Sequence, residues 1–239
     1  MLTIIFVTSN KGKVLTMKKW VSSSEIGVRR YTGKIDIPER QLSSVEEIAK
    51  YKAFEFSHKL QVPFVVQDSG FYLDAFPGFP GPNIKYVLST IGVDGILNIV
   101  PKENRRCHFE DVLAFWSPKF QKPDEIEIFV GKVHGTVAYS QSEVRRKGAW
   151  SDLWKIFIPD GFDTTLAAMD EEAQSKFSET RNDVNMNCFA AFADWIKANM
   201  GYLYVPQRLF DELPSESHPE EDNEQLPKYN QPNLFELFK

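Results

Sequence analysis

F-V-V-Q-D-S-G-F-Y-L-D-A-F-P-G-F-P-G-P-N-I-K-Y, residues Phe64 to Tyr86, is the stretch on which the fold turns. Phe64, Val65 and Val66 form an apolar run that ends on a carboxylate, and two Pro-Gly turns follow. This spacing predicts a buried strand that opens at Asp68 and a tight turn through Ser69 and Gly70. Two readings of Asp68 stay open at this point. Either it caps its own backbone as an Asx-turn residue, or it presents its carboxylate to the crevice at the strand end, where ligands sit in open α/β sheets.

Upstream, Leu2 to Val7 is apolar and β-branched and predicts a first strand buried on both faces. It runs into T-S-N-K-G-K, Thr8 to Lys13, ahead of a helix predicted over Val14 to Val21. Backbone N–H groups and the helix dipole favour an anion at such a junction. The G-x-x-x-x-G-K-[ST] pattern is absent, however, and short polar loops also begin helices that bind nothing. Tyr31 to Ile37 alternates as a short strand. Val45 to Leu60 predicts a helix, with Val45, Ile48, Ala49 and Phe56 at helical spacing and Ser43 or Ser44 as N-cap. Lys50 and Lys52 fall on it, where a solvated lysine needs no function to explain it.

Downstream, Ile84 to Thr90 and Asp94 to Val100 predict helices. Cys107 to Trp116, Glu125 to Val130 and Lys132 to Ser140 predict strands of a second lobe, the last two as a hairpin around Gly131. Thr164 to Met200 is mainly helical, beginning near Thr165 or Asp170, and its stripe of Phe189, Phe192, Trp195 and Ile196 belongs to the core. From Pro206 onward the composition predicts disorder, so the chain divides into a domain over 1–204 and an acidic, Pro-rich tail over 205–239. Within that tail, Leu234 to Phe238 suits either docking on the body or recognition by a protein partner.

With 239 residues, 42% hydrophobic and 26% charged, the chain is long enough for one large domain or two packed lobes. Cys107 and Cys188 lie far apart without C-x-x-C spacing, which points to neither a disulfide framework nor a zinc site. Met1 to Val7 is too short for a secretory h-region, and no stretch approaches the roughly 18 apolar residues of a membrane span. A cytoplasmic protein with no membrane partner is expected. The tail holds eight acidic and three basic residues, which accounts for the whole formal charge of -5. The body is neutral, so no nucleic-acid surface is signalled and an anionic ligand must be held by a few placed lysines.

Taken together, the motifs resemble the inosine triphosphate pyrophosphatase family over Met1 to about Ile196. T-S-N-K-G-K is similar to its T-x-N-x-x-K loop, and V-V-Q-D-S-G to its E-D-[ST]-G strand end. K-I-D-I-P-E-R-Q, E-I-A-K-Y-K-A, G-F-P-G-P-N-I-K-Y and F-I-P-D-G-F-D-T-T-L-A-A-M follow in the family's order. The resemblance implies an α/β fold, a two-lobed single domain around a long twisted mixed sheet, and a homodimer. It also implies Mg²⁺-dependent hydrolysis of ITP, dITP or XTP to the monophosphate and pyrophosphate. Thr8, Asn10, Lys13, Lys52 and Lys85 are then the implied phosphate and nucleotide ligands, Asp68 the catalytic and metal-binding carboxylate, and Glu39 a second metal ligand. Such a set suits a ligand of about four negative charges, since phosphoryl chemistry rests on positioning and electrostatics.

Two departures stand out. Gln67 replaces an acid that the family often has beside Asp68. Where the family has K-N-x-x-S-H-R, whose His and Arg read the purine 6-oxo group, this chain has Q-S-K-F-S-E-T-R, with only Ser178 in register, Glu179 and Thr180 in place of the readers, and Arg181 one position late. Trp150, Asp152 or Trp154 is available for the base pocket, in a register the sequence leaves open. An enzyme with relaxed base preference is therefore expected, and the alternative is a nucleotide-binding or interaction protein that kept the fold without catalysis.

Overall fold

The computed structural model describes residues 1–34, 37, 42–144, 149 and 151–214. Its first strand, β1 (Leu2–Val7), is buried at every position, as an unbroken apolar run in a parallel sheet should be. Helix α1 (Lys11–Val21) follows and returns the chain to β2 (Ile26–Arg30), which pairs parallel to β1 with Leu2 opposite Ile26. The strand expected over Tyr31 to Ile37 thus lies earlier among the described residues. Ile26 and Val28 supply the inward face, and Tyr31 already stands beyond the strand.

Helix α2 (Val45–Ser57) is N-capped by Ser44, whose hydroxyl accepts from the Glu47 N–H at 3.1 Å, while the Glu47 carboxylate accepts from the Ser43 backbone and hydroxyl. Strand β3 (Phe64–Leu73) comes next. It pairs parallel to β1 at one end and antiparallel along its whole length to β5 (Arg106–Trp116). Between them lie the two-residue β4 (Pro80–Gly81) on β3, α3 (Ile84–Thr90) and α4 (Gly92–Ile99). Beyond β5 the sheet continues antiparallel through β6 (Glu127–Val137) to β7 (Phe157–Pro159). The order is β2-β1-β3-β5-β6-β7, with β4 on β3: a mixed sheet of seven strands among the described residues. Helices α5 (Glu171–Thr180), α6 (Cys188–Asn199) and α7 (Arg208–Asp211) complete the chain.

Three apolar clusters pack on this sheet. One lies under α1 and α6 and holds the Phe189, Phe192, Trp195 and Ile196 stripe; one lies under α2; the third fills the far lobe around Phe71, Phe109 and Phe157. None of the helices among the described residues is long and apolar enough to cross a membrane.

Three sequence expectations are corrected here, and two concern glycines. Strand β3 does not stop at Asp68, because Ser69 and Gly70 continue the ladder opposite Asp111 and Glu110. Gly70 is there for close approach: a Cβ would stand 2.6 Å from Val45 Cγ2 and 3.1 Å from the Gly81 carbonyl group. Likewise β6 is one strand, not a hairpin, and Gly131 makes room for the start of α6, whose Cys188 nitrogen would lie 2.5 Å from a Cβ. Thirdly, Val205 to Pro214, expected within the tail, is described as part of the body. Leu209 and Phe210 give α7 an apolar face, and Phe210 is buried in the cluster under α2.

Phe210→Ala should therefore destabilise the protein by roughly 3 to 5 kcal/mol, the usual cost of emptying a buried Phe site, and lower Tm by about 10 °C. A thermal melt checks this, and an unchanged Tm would show that α7 contributes nothing to the core.

Candidate active site

The cleft between the lobes is built on β3. Val45 at the start of α2 packs on Gly70, and its backbone N–H donates to the Tyr72 hydroxyl at 3.4 Å. Seven residues on, about two helical turns, Lys52 projects from the same face of α2 onto the same strand. Its ammonium meets Asp68 Oδ1 at 2.5 Å. Asp68 Oδ2 is buried and has no hydrogen-bond partner among the described residues. Leaving a carboxylate oxygen in that state is costly, which marks Asp68 as a candidate ligand-binding group.

From the other side, the T-S-N-K-G-K loop sits where β1 ends and α1 begins. Thr8 Oγ1 accepts from the Asn10 N–H, and Asn10 Oδ1 in turn caps α1 by accepting from the Lys13 N–H, both at 3.1 Å. The first turn of α1 thereby aims Lys13 at the strand, where its Nζ donates to Ser69 Oγ at 3.4 Å. Burial pulls the Lys13 ammonium below its ordinary value of 10.5. Asp111 and then Asp68 push it back up, and the neighbouring Lys85 adds to the lowering.

Lys85, in the first turn of α3, closes the third side and is exposed. The cavity that these groups border measures about 940 Å³, at the upper end of ordinary ligand pockets. Asn10, Lys13, Lys52, Asp68 and Lys85 all line it. The lining also has an apolar part, Leu88, Phe109, Leu153, Trp154 and Ala167, with the polar Ser151, Asp152 and Lys155 beside it. Trp154 and Asp152 come from a 3-10 turn over Asp152–Lys155, which is capped by Ser151 and closed by a 3.0 Å Asp152–Lys155 ion pair.

Not every expected residue reaches the cavity. Thr8 is occupied in shaping the loop and is not part of the lining. Ser178 and Glu179 are exposed on α5 and do not line it, and Thr180 borders a separate hollow of about 260 Å³ with Phe177 and Met186. Arg181, the C-cap of α5, turns inward, with its guanidinium 3.9 Å from Asp111 Oδ2. Glu39, Trp150 and the Leu234 to Phe238 motif lie outside the described residues. Asp111 is the group that sequence reasoning missed. The signal was there: Glu110-Asp111 is a pair of adjacent carboxylates directly before the apolar run Val112 to Trp116.

These residues suit a hydrated divalent cation of the Mg²⁺ type. No group of three or more His, Cys, Asp or Glu side chains placed to hold a metal occurs among the described residues. Magnesium needs no such cage, since it is commonly held by one or two carboxylates together with substrate phosphates. An unpartnered oxygen on Asp68, a residue that lines a cavity together with several lysines, fits that pattern.

A mixed sheet shared by two lobes, with Asp68, Lys13, Lys52 and Lys85 brought together at one cavity, defines a two-lobed α/β protein with a lysine-rich cleft. More narrowly, the chain belongs to the Ham1 family, which residues 4–186 match, in agreement with the resemblance carried by its motifs. The dITP/XTP pyrophosphatase of Thermococcus kodakarensis is 37% identical over 198 residues, 82% of this chain and 98% of that protein. That of Methanopyrus kandleri is 34% identical, over 82% and 97% of the two chains. Among solved structures, a HAM1 protein from Coxiella burnetii shares the fold with a TM-score of 0.67 at 18% identity, covering 83% of this chain and 100% of its own.

The position of Lys13 predicts a pH-dependent effect on stability. At neutral pH the folded state holds an ammonium out of water that the unfolded chain keeps hydrated, so this charge lowers stability. The penalty fades as pH rises through the lowered folded-state value toward 10.5. Lys13→Met should raise Tm at pH 7 and raise it less at pH 9.5. Identical melts for the two proteins at pH 7 would mean that burying Lys13 costs nothing.

Proposed function

We propose that the protein is a nucleoside triphosphate pyrophosphatase, which cleaves the α–β phosphoanhydride bond of purine nucleoside triphosphates to give the monophosphate and pyrophosphate. The observation that carries this reading is the Asp68 carboxylate, with Lys52 on one oxygen and the other oxygen bare, inside a lysine-ringed cavity of a Ham1-family chain. The dITP/XTP pyrophosphatases among its relatives support the reaction class.

In this reading Lys13 and Lys85 hold the phosphate chain, and Asn10 keeps the first turn of α1 in place. Lys52 orients Asp68, whose carboxylate activates the attacking water and takes its proton. Asp68, with Glu39, would hold Mg²⁺, which when bound polarises phosphoryl oxygens and offsets charge on the leaving pyrophosphate. Ser69 is a strand residue that accepts from Lys13, and no covalent nucleophile is invoked. Action as a cytoplasmic homodimer belongs to the same proposal and rests on the family alone.

Base preference follows from the apolar part of the lining. Leu88, Phe109 and Trp154 offer apolar contact and stacking, whereas Ser178 and Glu179 stand outside the cavity. Stacking separates similar ligands only about 10- to 200-fold, while a polar reader that hydrogen-bonds one group reaches about 10⁴. Discrimination of ITP and XTP from ATP and GTP should therefore stay below about 10³ in kcat/KM at one fixed Mg²⁺ concentration. A larger ratio would reveal a polar reader elsewhere in the pocket.

Asp68→Asn decides between an enzyme and a binding protein, the reading that Gln67 and the altered Glu179-Thr180 pair favour. The swap keeps shape and removes charge, so turnover should fall well over tenfold while the melt is little changed. A residual kcat above a tenth of the wild-type value, a loss under ~1.4 kcal/mol, would remove Asp68 from the catalytic role. Absence of pyrophosphate release by the wild-type protein from every nucleotide, with and without Mg²⁺, would favour the binding protein.

A further inference from the structure

Lys13 has a counter-charge problem that the groups lining the cavity do not solve. It is partly buried, Lys85 lies close enough to lower its proton affinity further, and Asp68 is already engaged by Lys52. A lysine in such a place serves a phosphate only if it stays protonated and aimed. Gln67, at the position where an acid was expected, brings no charge.

The cross-strand register supplies one. Asp111 on β5 stands directly opposite Ser69 on β3, so the two side chains share a face at the close spacing of an antiparallel pair. Ser69 is the residue that receives the Lys13 ammonium. Of the charged groups around Lys13, Asp111 is the strongest influence keeping its proton on, ahead of Asp68. The carboxylate also has a neighbour at each oxygen: Gln67 Nε2 donates to Oδ1 over a long 3.5 Å, and the Arg181 guanidinium lies 3.9 Å from Oδ2. Its side chain is 16% exposed and does not line the cavity. Asp111 thus acts from behind Ser69, without touching a ligand in the cleft.

This explains residue 67 as well. An acid there would place a second carboxylate against Asp111 at the distance the amide now bridges, and like charges so close cannot both stay ionised at low cost. The amide turns that repulsion into a hydrogen bond. We propose that Asp111 is the second carboxylate of the site, a positioning residue that supplies from β5 the negative charge Gln67 lacks on β3 and holds Lys13 for the phosphates of the substrate. The inference rests on the proposed function, in which Lys13 binds those phosphates.

A charge swap tests it. Full-length wild type, Asp111→Asn and the double variant Gln67→Glu/Asp111→Asn are compared for pyrophosphate release from ITP in excess Mg²⁺. Equilibrium dialysis with a non-hydrolysable α,β-methylene ITP reports binding alone. Asp111→Asn should raise KM and the Kd of the analogue at least tenfold and change kcat less than threefold, because Lys13 loses the carboxylate that aims it while Asp68 is untouched. Returning a carboxylate at residue 67 should bring both constants back to within about threefold of wild type. Asp111→Asn constants within twofold of wild type would overturn the proposal. So would a weakened Asp111→Asn that the swap fails to rescue, since Asp111 would then serve the packing of Arg181 and not the charge of Lys13. Should Asp111→Asn not fold, the double variant is read directly against wild type: near-normal binding supports the inference, and weak binding or misfolding overturns it. Wild type that neither turns over ITP nor binds the analogue would instead defeat the proposed function itself, and this inference with it.

Discussion

Every distance in the cleft depends on the register of one strand pair. β3 and β5 run antiparallel from Phe64 opposite Trp116 to Leu73 opposite Cys107, through both lobes. Alternate residues of β3 face opposite layers, and each layer is filled: Phe64 and Val66 pack under α2, whereas Val65 packs with α1 and α6. Slipping the pairing by one residue would exchange those faces, which the buried aromatic and β-branched side chains forbid. Asp68 is thereby fixed toward Lys52, and Ser69 toward Lys13 and Asp111. Val45, seated on Gly70, sets the height of α2 and so places Lys52. Chemistry in this site is a by-product of strand register and of one helix docked on a missing side chain.

That dependence marks the limit of what a linear reading can reach. β1, β5 and the α6 stripe were legible because their periodicity and burial are local properties of the chain. Gly70 and Gly131 were misread because glycine looks the same in sequence whether it makes a turn or yields space to a neighbour. At both positions the reason lies far along the chain, in Gly81 and in Cys188, and no window of ten residues contains it. α7 was obscured by its acidic, proline-containing surroundings. A short amphipathic turn such as R-L-F-D gains its stability from the groove it fills, not from propensity.

The site divides along the same line. Lys13, Lys52, Asp68 and Lys85 were legible as members of separate motifs in order, and the structure brings all four to one cavity. Asp111 belongs to none of those motifs. Its meaning comes from residues on two other elements, Gln67 and Ser69 on β3 and Arg181 at the end of α5, and only the sheet brings them together. Asp152 and Trp154 were left in an uncertain register by sequence, and a 3-10 turn held by the buried Leu153 carries both to the cavity wall.

The balance of charge in the cleft has a physical logic of its own. Lys13 and Lys85 border the same cavity as the ion-paired Lys52 and Asp68 and the Lys155–Asp152 pair, an excess of positive charge in a site partly withdrawn from water. Burial of Lys13 in this site opposes folding and lowers its proton affinity; Lys85 adds to the lowering, and Asp111 and Asp68 counter it. Filling the cleft with carboxylates would remove the strain and also the ability to attract an anion. Placing Asp111 one strand away, behind Ser69 and clamped by Arg181, is a compromise between these demands. It is near enough to hold the ammonium charged, yet it leaves the cavity itself electropositive, so the remaining neutralisation is left for a polyanionic ligand to provide on binding.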